Sequence, residues 1–147
     1  MQILSPVTGR AMPISEVPDP VFAGLMVGPG IGIDPVREAG TAVAPISGTI
    51  VKLHPHAYVI SGESGSVLVH LGIDTVQLKG EGFTVHATEG AVVSAGDAIV
   101  SWDPAQVEAG GKSPAVPVVA LEGSADSLSS VVESGDVAAG DVVFVWG

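Results

Sequence analysis

Four histidines, His54, His56, His70 and His86, are the only side chains in the 147-residue chain whose ordinary pKa lies near neutrality. The chain has no cysteine, so thiol chemistry and disulfides are excluded. Three of the four cluster. His54-Pro55-His56 leads into the apolar stretch Ala57-Tyr58-Val59-Ile60, and Val67-Leu68-Val69-His70 follows the turn residues Gly62-Glu63-Ser64-Gly65. The two stretches form a hairpin candidate. Side chains alternate between the faces of a strand, so the loop decides where the rings go. An odd-length loop centred near Glu63 or Ser64 brings His56 and His70 out on one face; a two-residue loop puts them on opposite faces. The expectation is one shared face, with the two Nε2 atoms close enough to contact one transferred group. His54 is expected to be a surface loop residue. His86, in Phe83-Thr84-Val85-His86, reads as an ordinary strand histidine.

The elements that must position these rings are short strands. Gly, Pro, Ser or Asp bound candidates at 30–33, 41–44, 48–53, 57–61, 67–71, 82–86, 98–102, 115–121 and 142–146. Helix signals are weak: Asp103-Pro104, then 105–109 and Gly110, read as an N-cap, a first-turn proline and a terminating glycine. Two loose repeats appear. Ser5-Pro6-Val7-Thr8-Gly9 returns as Ala44-Pro45-Ile46-Ser47-Gly48, and Val93-Ser94-Ala95-Gly96-Asp97 returns as Val137-Ala138-Ala139-Gly140-Asp141. They point to a duplicated β unit. The predicted fold is all-β: an antiparallel β-sandwich or barrel-sandwich hybrid with duplicated character and very little helix, in a single domain over 1–147.

Composition agrees. Hydrophobic residues make up 46% and charged residues 14%, with mean hydropathy +0.52, which excludes a chain too polar to fold. Valine occurs 25 times against six aromatic residues, a β-branched core that favours strands. With 20 Gly and 11 Pro interrupting it, no apolar run reaches the ~18 residues of a membrane span, so membrane insertion is not expected. Five Lys+Arg against 16 Asp+Glu give a net charge of −11, which repels phosphate backbones and argues against nucleic acid. Met1 leads into Gln2-Ile3-Leu4-Ser5-Pro6 without a basic-then-apolar targeting segment, and the chain is read as cytoplasmic.

One string is far more specific than these patterns. His70-Leu71-Gly72-Ile73-Asp74-Thr75-Val76-Gln77-Leu78-Lys79-Gly80-Glu81-Gly82-Phe83, preceded by the aliphatic Val67 to Val69, resembles the signature of the glucose-type IIA domain of the bacterial phosphoenolpyruvate-dependent sugar phosphotransferase system. The resemblance extends back through His56-Ala57-Tyr58, Val43 to Ile50, and Val21-Phe22-Ala23 with Val27-Gly28-Pro29-Gly30, and forward to Glu89-Gly90 and Gly96-Asp97. It implies a β-sandwich phosphocarrier. His70 then accepts a phosphoryl group, derived from phosphoenolpyruvate, from the histidine phosphocarrier protein and passes it to the cysteine of a IIB domain. His56 assists as transition-state stabiliser, and no cofactor is required. Regulatory protein targets are also implied. Asp74, four residues past His70, is placed to orient an imidazole by accepting its second N–H. Val21, Phe22, Leu25, Met26 and Val27 match the apolar docking surface around the active histidines. The sequence departs from the family beside His56, where the glucose member's polar Thr-Asn pair gives way to Leu53-His54-Pro55.

Two other classes share part of this pattern. His54-Pro55-His56 with His70 to Asp74 is similar to the zinc-ligand motifs of lysostaphin-like metallopeptidases, but in reversed order, without an export signal, and the Gly72 to Phe83 run has no peptidase role. Zinc held at His56 and His70 as an incidental or regulatory ion is the stronger form of that idea. Lipoyl or biotinyl carrier domains need a lysine at a hairpin tip. Lys79, between Leu78 and Gly80, and Lys52, within a strand, lack that context.

Overall fold

The computed structural model describes residues 1–147. Fourteen strands carry the fold: β1 (Gln2–Leu4), β2 (Gly9–Pro13), β3 (Gly30–Pro35), β4 (Gly40–Val43), β5 (Gly48–His54), β6 (Ala57–Ser61), β7 (Ser66–His70), β8 (Thr84–Val85), β9 (Val92–Val93), β10 (Ala98–Trp102), β11 (Val116–Ala120), β12 (Leu128–Ser129), β13 (Asp136–Val137) and β14 (Val142–Trp146). Two helices, α1 (Pro20–Ala23) and α2 (Pro104–Ala109), are the only α-helical segments. Every strand pair is antiparallel. The sheets are one of eight strands, ordered β13-β2-β3-β11-β7-β6-β5-β9, and two of three, β1-β14-β12 and β4-β10-β8. This is the all-β sandwich that the turn-bounded runs predicted.

The duplication is visible in the bonding. Ser5 N–H donates to the Asp141 carbonyl and receives Gly140 N–H on its own carbonyl; Ala44 N–H donates to Asp97 and receives Gly96 in the same way. Thr8 Oγ1 accepts from Ala139 N–H and Ser47 Oγ accepts from Ala95 N–H. The order of the large sheet is symmetric about β11-β7, with β13-β2-β3 on one side answered by β9-β5-β6 on the other.

Alternation along β7 and β11 decides what the site stands on. Val67 and Val69 of β7, and Val116, Val118 and Ala120 of β11, point into the main core of 25 buried residues. Burying each of these valines is worth ~1.5–3 kcal/mol. Leu68 and Val119 point the other way, into a second cluster with Ile14, Val17, Phe22, Ile73 and Ala115. His70 shares the face of Leu68, so it stands on the outer side of the large sheet beside the segment between β2 and β3.

Three expectations change. The run 82–86 contributes only Thr84–Val85, because Glu81 and Phe83 N–H are taken by the turn carbonyls of Leu78 and Gly80. α1 was not anticipated, although Asp19-Pro20 repeats the Asp103-Pro104 signal: each aspartate caps its helix, from Val21 N–H and from Ala105 N–H. The hairpin parity also differs. Gly62 N–H bonds the Gly65 carbonyl around a two-residue loop, and His70 pairs with Ala57 rather than with His56.

Candidate active site

The two-residue loop would separate the rings if His56 lay in a strand. It does not. β5 ends at His54, which pairs with Ala57, so Pro55 and His56 are the turn itself, where alternation no longer applies. Proline presets its own φ, and His56 avoids the positive φ that a type II turn would require of it, the pattern of a type I turn. The His56 and His70 ring centroids are 5.2 Å apart, edge to face at 67°. The rings share one site as expected, for a different reason.

His70 is fixed by backbone. Its Nδ1 donates to the Gly72 carbonyl at 2.5 Å. A carbonyl can only accept, so Nδ1 carries the proton and Nε2 holds the free lone pair. The two-residue step from ring to carbonyl requires a chain reversal, which Gly72 supplies at φ 82. The orienting acceptor is therefore Gly72 and not Asp74. Asp74 sits in a left-handed conformation ahead of the short 3₁₀ turn Thr75–Leu78, exposed, and its side chain caps nothing. Thr75, buried beneath, ties this loop to β7 by donating its hydroxyl to the Leu71 carbonyl at 2.8 Å.

Both imidazoles are held neutral at pH 7. Burial pushes His56 down from 6.5 to about 4, and any protonation of the His70 or His54 ring beside it would push in the same direction. Burial also lowers His70; the hydrogen bond to Gly72 and the carboxylates of Asp19 and Asp74 oppose that shift without reversing it. Asp19 escaped the sequence reading, and the Asp-Pro cap was the signal that would have found it.

The apolar cluster divides. Phe22 is a wall of the site rather than its surface: it is 8% exposed and its ring centroid lies 5.5 Å from that of His70. Val27 is half-buried against the second cluster. Val21, Leu25 and Met26 are exposed, Met26 at 74%. With Val59, Ser66 and Leu121, Leu25, Met26 and Val27 line an open groove, and Val59 and Ser66 stand on the same sheet face as His70. His54 is exposed at the end of β5, in a strand and not a loop, with its ring against that of His56. His86 lies apart, its Nε2 2.6 Å from Ser101 Oγ.

Two imidazoles do not complete a metal site. No group of three or more His, Cys, Asp or Glu side chains converges to hold an ion, whereas protein zinc sites draw on three or four ligands. The residues present do not fit a zinc centre made by this chain alone.

A half-buried pair of neutral imidazoles, one with its Nε2 lone pair left free by the Nδ1 bond, is equipped to receive and release an electrophilic group. Residues 1–125 match the family described as phosphoenolpyruvate-dependent sugar phosphotransferase system, EIIA 1. The chain belongs to that IIA family. The glucose-specific EIIA component of Bacillus cereus is 42% identical over 134 residues, covering 88% of this chain and 80% of that protein. The glucose-specific EIIBCA component of Corynebacterium glutamicum is 47% identical over 107 residues, which is 71% of this chain and 16% of that larger protein. Glucose permease IIA from Mycoplasma capricolum matches in three dimensions with a TM-score of 0.87 and 35% identity, covering 98% of this chain and 94% of that one. This IIA protein is a phosphotransferase component of the sugar phosphotransferase system, the phosphocarrier between the histidine carrier protein and a IIB domain. None of its helices is long and apolar enough to cross a membrane.

Proposed function

We propose that His70 Nε2 is the atom that carries the phosphoryl group and that His56 stabilises its transfer. The observation supporting this most directly is the Nδ1–H bond to Gly72, which selects the tautomer whose Nε2 is nucleophilic. In acceptance, the P–N bond to the carrier's histidine breaks as the bond to Nε2 forms. The positive charge that develops on the His70 ring is met by the Gly72 carbonyl and by the field of Asp19 and Asp74, the same groups that oppose the lowering of its pKa. His56, neutral, offers an N–H to the phosphoryl oxygens. Little covalent machinery is needed beyond such positioning and charge stabilisation. In the onward step the phosphoryl group moves to the IIB cysteine and His70 is regenerated neutral.

On this reading Val21, Leu25 and Met26 meet the partners directly, Phe22 and Val27 support them from beneath, and Asp74 contributes charge rather than orientation. The protein works in the cytoplasm as one phosphocarrier domain, whose core draws on both ends of the chain through Ile3 and Trp146. It requires no cofactor and has regulatory protein targets. Zinc at His56 and His70 would need further ligands from such a partner.

The test is labelling by phosphoenolpyruvate, Enzyme I and the histidine carrier. His70→Ala should take up no acid-labile phosphate while remaining folded. His56→Gln, which keeps an N–H donor, should still be labelled but pass the group to a IIB domain ~10²-fold more slowly. Normal labelling of His70→Ala would overturn the assignment.

A further inference from the structure

We propose that His54 is a positioning residue for His56: its imidazole, packed along the face of His56, fixes the ring rotation at which His56 meets His70. The proposal rests on the roles just given to His56 and His70 and adds a third residue to them.

Of the four histidines, only His70 and His86 have a ring nitrogen in a hydrogen bond within the chain. His70 therefore has its rotation set by Gly72, while nothing polar sets that of His56. Rotation about the terminal bond of a histidine side chain is broad and only weakly restricted by itself. What His56 does have is a ring on either side. His70 meets it edge to face at 5.2 Å, and His54 lies against it at 5.6 Å with the planes only 23° apart, an offset stack.

The backbone beneath is well fixed. His54 pairs with Ala57 to close the turn, and Leu53 N–H donates to Glu89 Oε1 at 3.0 Å on the preceding residue. Pro55, whose ring limits φ, packs close to Gly80, where an added Cβ would come within 3.2 Å of it. With the turn held, the two rings flanking proline project together, and the freedom left to His56 is the rotation that a flat neighbour removes. A donor that must find the phosphoryl oxygens in a crowded transition state loses rate when its direction is lost, even though its chemistry is intact. Planarity and position do this work, so a phenyl ring should replace the imidazole and a methyl group should not.

The experiment is single-turnover transfer from the phosphorylated histidine carrier, followed against carrier concentration for the wild type, His54→Ala and His54→Phe. His54 is exposed, so neither variant disturbs the core. His54→Ala should lower the rate at saturating carrier ~10-fold with the half-saturating concentration unchanged. His54→Phe should return to within ~2–3-fold of the wild type. All label should remain on His70 at wild-type stoichiometry. An unchanged rate in His54→Ala, a His54→Phe as slow as His54→Ala, or an effect confined to half-saturation would each overturn the proposal. Label that the wild type carries elsewhere than on His70 would instead overturn the reading on which it rests.

Discussion

At His56 the chain accepts a cost in stability for a ring that is neutral when needed. An imidazole with an ordinary pKa of 6.5 that is pushed to about 4 in the fold stays unprotonated where the unfolded chain takes up a proton. Between those two values the unfolded state binds more protons, so stability rises with pH across that window. The full stability is present above pH 6.5 and is lost as pH falls towards 4, below which the contribution is flat. Part of the ring faces solvent, which screens the effect to on the order of 1–2 kcal/mol. His70, lowered in the same direction, adds to the same slope. Urea unfolding at pH 7.5 and pH 4.5 should therefore show a larger loss for the wild type than for His56→Gln, which has no ring to protonate. Equal losses in the two proteins would mean that His56 is not held neutral by the fold. The site residues themselves were legible because histidine is rare here and the string from His70 to Phe83 is specific. The Gly72 acceptor was not, since a backbone carbonyl carries no signature in the sequence.

Among the elements, α1 and α2 share a capping plan and part company at the residue after the cap. Each starts with Asp-Pro and closes on a glycine, Gly24 or Gly110. Each then makes the paired bonds of a Schellman cap: Leu25 N–H to Phe22 and Met26 N–H to Val21, against Gly111 N–H to Glu108 and Lys112 N–H to Val107. The residue after the cap must be left-handed. In α2 it is Gly111 at φ 90; in α1 it is Leu25 at φ 61, 45% exposed. A side chain there costs ~1–2 kcal/mol in local conformation, which a glycine avoids. The exposed leucine is thus kept where the fold would favour glycine, at the rim of the face that carries His70. Leu25→Gly should stabilise the protein by about 0.5–1 kcal/mol, the local gain being reduced by the greater freedom of glycine in the unfolded chain. It should also raise the carrier concentration needed for half-maximal phosphorylation. Urea midpoints and labelling kinetics read the two effects, and a variant that is both less stable and unimpaired in docking would refute the idea. Strands such as 57–61, 98–102 and 142–146 were readable to the residue because their turns are spelled in Gly, Pro, Ser and Asp. β8 was read but too long, and the two-residue strands β9, β12 and β13 were not read, because pairing with distant partners creates them and no local pattern does.

Over the whole molecule, the site lies where the duplication is broken. By the symmetry of the large sheet, the β5-to-β6 connection answers the β2-to-β3 connection. The first is the two-residue turn Pro55-His56; the second is the long excursion through α1 that lays Phe22 beside His70. One copy sets the His56 ring beside His70, and the other lays buried Phe22 and the exposed Leu25 and Met26 around it. Away from that divergence the copies should remain equivalent in energy as well as in shape. Asp97 Oδ2 accepts from Ser94 N–H and Asp141 Oδ2 from Ala138 N–H, both at 2.8 Å, in turns that latch the same way onto Ala44 and Ser5. Both aspartates are exposed, so removing either carboxylate leaves no buried charge and returns one backbone N–H to water. Asp97→Ala and Asp141→Ala should each cost about 1 kcal/mol, agreeing within a few tenths, as expected for one hydrogen bond from a backbone N–H to a charged acceptor. Phosphoryl acceptance at saturating carrier should be unaffected in both, since neither turn touches the histidines. Denaturant unfolding of the two variants measures this. A cost confined to one turn would show that the repeated bonding is a likeness of form without equal energetic weight in the two halves.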